Sequence, residues 1–192
     1  MAANHWASRL RPHKLPFRRR LARAAVAVIY RKPPAGGTEL LFIQRARREG
    51  DPWSGDMAFP GGRMQAEDAT PRATAERETL EETGIDLLHH GRFQTRLSDL
   101  VTRHHSHWRP MVVTPYVYEW RGPKAVSPNH EVEQAVWVPV EYLAAPKNQD
   151  SLPWRTPLGT LNVPCCRYQG YCIWGLSYSM LKELLALDII DL

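Results

Sequence analysis

Between Phe59 and Ile85 the chain reads FPGGRMQAEDATPRATAERETLEETGI, and four glutamates, Glu76, Glu78, Glu81 and Glu82, fall within seven residues of it. The flanking residues mark this stretch as a helix. Thr70 can cap its start, Pro71 suits the first helical position, and Gly84 can end it. Residues three and four apart on a helix are neighbours, so Glu78, Glu81 and Glu82 share one face, where like charges repel by a few tenths of a kcal/mol per pair. Arg77 can pair with Glu81 and relieve part of that repulsion, yet negative charge remains in surplus. Carboxylate oxygens crowded in this way suit a hard cation such as Mg²⁺ or Mn²⁺. A solvated acidic helix is the plain alternative for an isolated E-x-x-E-E. Two neighbouring features favour the metal. The Gly61-Gly62 turn can bring backbone carbonyls beside the helix, and the small residues Ala75, Thr79 and Thr83 allow close packing on a sheet, which would hold the carboxylates rigidly.

The elements that must carry this helix are legible on either side of it. Ala24 to Arg31 and Glu39 to Arg45 read as apolar strands joined by the turn-rich KPPAGG. Gly91 to Val101 and Met111 to Trp120 read as two more strands, separated by TRHHSHWRP, and EQAVWVPV as another. PVEYLAA is a short helix, and LSYSMLKELLAL, within residues 176–190, is an amphipathic C-terminal helix. Interleaved strands and helices with hairpin-like spacing give an α/β (α+β) class with a mixed sheet.

The 192 residues fit one domain spanning 1–192, with 43% apolar and 23% charged residues. No apolar run approaches the roughly 20 residues of a membrane helix. The three cysteines, Cys165, Cys166 and Cys172, are odd in number and poorly spaced for a bridge or a zinc site, which points to a reducing, cytoplasmic setting. Net charge is +5, and nine Lys or Arg residues precede the first acidic residue, Glu39. An Arg-rich, acid-free start also fits a transit peptide. Because RRRLARAAVAVIYR runs directly into strand pattern, residues 1–22 read instead as a basic arm.

The stretch from Gly62 to Ile85 resembles the signature box of the Nudix hydrolases, G-x5-E-x7-R-E-U-x-E-E-x-G-U with U aliphatic. Arg77-Glu78, Glu81-Glu82, Gly84 and Ile85 stand in register, and Gly62 does so with one inserted residue. Thr79 replaces an aliphatic residue, and the first acidic position falls on Asp68 or Glu67. FPGG before the box and EVEQAVWVPVEYL after it extend the likeness over most of Ala24 to Ala145. The resemblance implies an α/β/α sandwich around a central mixed sheet and metal-dependent hydrolysis of a nucleoside diphosphate linked to another group. It implies Glu78 and Glu82 as main Mg²⁺ or Mn²⁺ ligands, Glu81 as a further ligand or an aid to water activation, the Gly61 carbonyl in the metal shell, and Arg77 as orienter. Glu131 or Glu133 would add a ligand or base. Homodimers occur in such families, and the resemblance leaves that state open.

For the substrate, LFIQRARREGDPWSGDMAFPGG partly resembles the extra motif of the coenzyme A diphosphatase branch through Arg45-Ala46, Gly55 and Phe59 to Gly62. YCIWGLSYSMLKELL resembles the tail of the same branch. Coenzyme A is the leading substrate; ADP-ribose, NADH and dinucleoside polyphosphates are alternatives. Arg45 and Arg63 flank the acidic helix and could bind phosphate. Trp53 could stack on adenine or anchor its loop. His104, His105 and His107, beside Trp108 and Arg109, read as a polar connection or a substrate loop, with no fourth ligand spaced for zinc. A non-catalytic binding module would have no use for three repelling glutamates, and no aromatic-basic motif supports a nucleic-acid partner.

Overall fold

Ala24 to Tyr30 contains no polar residue before the terminal tyrosine, and the structure shows why: the strand that contains it is covered on both faces. The computed structural model describes residues 13–16, 18–49, 53–103, 110–156 and 159–187. Strand β1 (Ala22–Arg31) pairs antiparallel with β2 (Glu39–Arg45). Next come the short β3 (Met57–Ala58) and β4 (Gly61–Arg63), helix α1 (Pro71–Thr83) and the single turn α2 (Leu87–His90). Strands β5 (Gly91–Arg96), β6 (Leu100–Arg103), β7 (Pro110–Trp120) and β8 (Val132–Pro139) follow, then α3 (Val140–Ala144). The chain continues through β9 (Gln149–Thr156), β10 (Gly159–Tyr168) and β11 (Tyr171–Trp174) into α4 (Gly175–Ala186).

The central sheet has eight strands and is mixed. β1 runs parallel to β7 from Ala22 opposite Met111 to Tyr30 opposite Glu119, while the other pairings are antiparallel. Side chains along β1 alternate between two cores. Ala25, Ala27 and Ile29 pack with Ala75, Ile85 and Tyr118 beneath α1. Ala24, Val28 and Tyr30 pack with Leu40, Phe42, Ile173, Leu181 and Leu184 beneath α4 and the second sheet. A strand buried on both faces reads as an unbroken apolar run rather than an alternating one.

The segment Gly91–Val101, expected as one strand, is two. Leu97 N–H still donates to Pro115 O, but the regular ladder lapses over residues 97–99, where the buried Asp99 collects donors: Leu15 N–H, Thr114 Oγ1 and both hydrogen bonds of Arg18. These bonds also tie down the described part of the basic arm, where Arg18–Arg20 form a short 3₁₀ turn. Sequence patterning did not show the three-stranded sheet β9–β10–β11. The three cysteines are free thiols, two of them buried there. Among the described residues no helix is long and apolar enough to cross a membrane.

Candidate active site

Helix α1 forms as its ends dictate. Thr70 Oγ1 accepts from Ala73 N–H at 3.1 Å, Pro71 opens the helix, and Gly84, at φ 71°, closes it by donating to Leu80 O at 2.9 Å. Ala75, Thr79 and Thr83 are fully buried, so the small face lies on the sheet as expected. The loop before β8 finishes the other end, with Ser127 N–H donating to Thr83 O at 2.8 Å and Asn129 N–H to Glu82 O at 3.1 Å. No sequence signal marked that contact.

The face next to the small stripe meets the glycine turn, which is β4 of the same sheet. Gly61 N–H donates to Glu82 Oε2 at 2.8 Å. Gly61 has φ 150°, and a Cβ there would lie 2.3 Å from Ala25 O, so only glycine fits. At Gly62 a Cβ would lie 2.5 Å from Glu78 Cδ: the missing side chain is the space that the Glu78 carboxylate occupies. Glu82 is 4% exposed. Burial raises its pKa to about 7, against the Gly61 N–H, and the negative charge of Glu78 adds to the rise. Burial likewise pushes Glu78 upward, with Arg77 opposing and Glu81 and Glu131 adding to it.

Arg77 is the hub that separates the other carboxylates. It makes a bidentate pair with Asp68, Nε to Oδ1 at 2.9 Å and Nη2 to Oδ2 at 3.0 Å, and reaches Glu78 Oε1 at 2.9 Å and Glu81 Oε2 at 3.2 Å. Asp68 also accepts from Gln65 N–H and Thr74 Oγ1. The hydrogen bonds from Arg77, first among these, hold its pKa well below the usual carboxylate range, and Asp68 in turn raises that of Arg77. The choice between Asp68 and exposed Glu67 therefore falls on Asp68, as the partner of Arg77. The expected three-carboxylate face opens out. Glu81, with its side chain 53% exposed, is drawn onto Arg77, and among the described residues no three His, Cys, Asp or Glu side chains converge to enclose an ion.

A cleft of about 630 Å³ adjoins the turn and is lined by Arg45, Trp53, Gly61, Gly62 and Arg63 together with both sheets and the start of α4. Arg45 lies close enough to favour the charged form of Glu82. Arg63 gives its carbonyl to Arg77 at 3.3 Å. Glu131 pairs with Arg48 at 3.1 Å, and its charge raises Glu78 and Glu82. Glu133 instead lines a separate hollow with Lys124 and Trp137. Glu76 is turned away as well, accepting from Tyr118 Oη at 2.6 Å. His104, His105, His107, Trp108 and Arg109 lie outside the described residues. Sequence reasoning missed Trp154 and Trp174, which line the same cleft, and Asp56, which accepts from Trp174 Nε1 at 3.0 Å.

Buried Glu82 and half-buried Glu78, both with raised proton affinity and set against a turn that a Cβ would block, offer oxygen donors suited to a divalent cation. The NUDIX domain family profile matches residues 20–155. The chain belongs to the Nudix family. Nudix hydrolases act on pyrophosphate bonds of nucleoside diphosphate derivatives and generally use divalent metals such as Mg²⁺ or Mn²⁺. An uncharacterised Schizosaccharomyces pombe protein is 36% identical over 113 residues, covering 57% of this chain, and the chain spans only 34% of that protein. The Mycobacterium smegmatis Nudix hydrolase RenU superposes with a TM-score of 0.57 at 19% identity, over 88% of each chain. A MutT/nudix family protein from Enterococcus faecalis gives 0.57 at 17%, over 91% of this chain and 63% of that one. A Caenorhabditis elegans Ap4A hydrolase gives 0.54 at 24%, over 63% and 82%. The Nudix likeness covers the box and the mixed sheet, and the coenzyme A branch is not singled out by any of these relatives.

Proposed function

We propose that the chain is a divalent-metal-dependent diphosphatase whose substrate is coenzyme A, split into 3′,5′-ADP and 4′-phosphopantetheine. The observation that carries the substrate reading is a convergence. Arg45, Phe59, Gly61 and Gly62 come from one resembling segment, and Trp174 to Met180 from the other, yet all line one cleft. Segments more than 100 residues apart in the sequence thus face the same space beside the carboxylates.

Glu78 and Glu82 would hold the cation, which when bound neutralises charge on the diphosphate oxygens. The remaining work falls to the chain. The Gly61 N–H fixes one oxygen of Glu82. Arg77, locked by Asp68, keeps Glu78 and Glu81 at set distances. Arg45 and Arg63 supply positive charge along the cleft for the phosphates. Water adds to one phosphorus as the bridging P–O bond breaks, and positioning with charge neutralisation accounts for most of such a rate enhancement.

The test is a substrate panel of coenzyme A, dephospho-coenzyme A, NADH and ADP-ribose with Mg²⁺ or Mn²⁺, scored by product mass. Coenzyme A should give the highest kcat/KM, and Glu82→Gln should lower its kcat at least about a hundredfold. The same ions should raise the melting temperature of wild type but not of Glu82→Gln. Faster turnover of ADP-ribose or NADH overturns the substrate; an undiminished rate in Glu82→Gln overturns the site.

A further inference from the structure

The cleft has two unlike walls. One belongs to the central sheet and carries Gly61, Gly62 and Arg63 beside Val26 and Met57. The other comes from the second sheet and α4, and carries Trp154, Trp174, Leu176 and Met180. The diphosphate chemistry uses the first wall and leaves the second without a role. We propose that Trp154 and Trp174 are specificity residues that hold the extended aliphatic arm of the substrate, on the far side of the diphosphate from the nucleotide. This rests on the coenzyme A reading above, and deepens it by naming which wall meets the pantetheine.

Three observations select an aliphatic occupant over a second flat ring. The Trp154 and Trp174 ring centroids are 4.7 Å apart and the planes are inclined at 42°, so the indoles pack on each other. A ring slipped between them would need about 7 Å, two ordinary van der Waals contacts. The cleft is also lined by Met57, Met111, Met180, Val26 and Leu176, an apolar surface whose unbranched methionines can adapt to a flexible chain. Trp174 is fixed by donating from Nε1 to Asp56 Oδ1 at 3.0 Å, while Trp154 is 39% exposed, a large apolar surface left open at the cleft. A volume of about 630 Å³ lies in the usual range for small-molecule sites and accommodates more than a diphosphate. The first wall adjoins the chemistry directly, because Gly62 lies against the Glu78 carboxylate, and the tryptophan wall faces it across the cleft.

Dephospho-coenzyme A and ADP-ribose share the adenosine diphosphate and differ in the group beyond it. The measurement is the ratio of their kcat/KM values in wild type, Trp154→Ala and Trp154→Leu, with full-length protein and Mg²⁺. Trp154→Ala should lower the ratio about tenfold, and Trp154→Leu, which restores apolar surface without a ring, should recover most of it. Equal losses on both substrates place the ring on the shared adenosine and overturn the inference, as does a Leu variant as poor as the Ala variant. Melting curves on each variant separate these results from misfolding, and if Trp154→Ala does not fold, the Leu and wild-type ratios decide, with a Leu ratio tenfold below wild type counting against the inference. Wild type that cleaves ADP-ribose but neither coenzyme A form overturns the substrate reading itself, a result distinct from any change in ratio.

Discussion

The acidic helix, seated behind the glycine turn that edges the cleft, and the tryptophan wall of that cleft are built in opposite ways. At the helix every functional side chain is fixed by backbone or by charge: Glu82 by Gly61 N–H, Glu78 by the space at Gly62, and Arg77 by two bonds to Asp68. At the wall, the positioning rests on two indoles packed at a tilt and one hydrogen bond to Asp56. A reaction centre needs placement to a fraction of an ångström, whereas an apolar arm gains most of its binding from buried area and tolerates adjustment. The contrast therefore separates what must be rigid from what can be soft.

The sharpest way to break that contrast is Gly62→Ala. The atoms nearest the added Cβ are the far end of the Glu78 side chain, so the melting temperature should stay near that of wild type while kcat falls at least about a hundredfold, as expected on displacing one preorganised charge. Retained activity would show that Glu78 does not need its seat on the turn. The contact at Gly61 is with backbone, so Gly61→Ala should instead lose the fold's stability along with activity.

Asp68→Asn probes the lock on Arg77 and should cost about 2 kcal/mol at neutral pH, the scale of hydrogen bonds to charged groups. The sign of its pH dependence follows from the depressed carboxyl: the folded pKa lies below the unfolded value of about 4, so the stabilisation is present above that value and is lost as pH falls toward the folded one. Urea midpoints of wild type and Asp68→Asn should therefore converge as pH drops below about 4. A gap that stays constant into acid would mean that Asp68 acts by packing rather than by charge.

Thr79→Val should have the smallest effect. Thr79 is fully buried, and among the described residues its Oγ1 has no hydrogen-bond partner. Replacing the hydroxyl by a methyl of similar size should stabilise the protein by about 1 kcal/mol, read as a higher urea midpoint with unchanged kcat. A loss of activity would place this hydroxyl in the site's support, against its position on the sheet side of α1.

Much of the helix was legible because its signals are local. Thr70, Pro71 and Gly84 act within one turn of where they stand, and the i, i+4 spacing of Ala75, Thr79 and Thr83 fixes which face meets the sheet. The apolar runs of β1, β2, β7 and β8 were visible for the same reason. Asp68 could be ranked against Glu67 only once Arg77 had been placed, since both carboxylates stand close to the box. The division of Gly91–Val101 was hidden because Asp99 breaks the strand by gathering partners from residues 15, 18 and 114.

The sequence by itself determined the helix, its caps, its buried stripe and the presence of a carboxylate excess beside a glycine turn, because each depends on dihedral preference and periodicity within a few residues. Only the tertiary structure decided which carboxylates stay at the turn. Glu81 follows Arg77 outward while Glu82 is buried on Gly61, and that outcome depends on β4 lying against β1. It also decided that Trp154 and Trp174, on strands with no clear signature of their own, would meet Trp53 and Met57 across one cleft. Contacts between residues more than 100 positions apart arise from how the second sheet and α4 pack on the first sheet, and no local pattern encodes them.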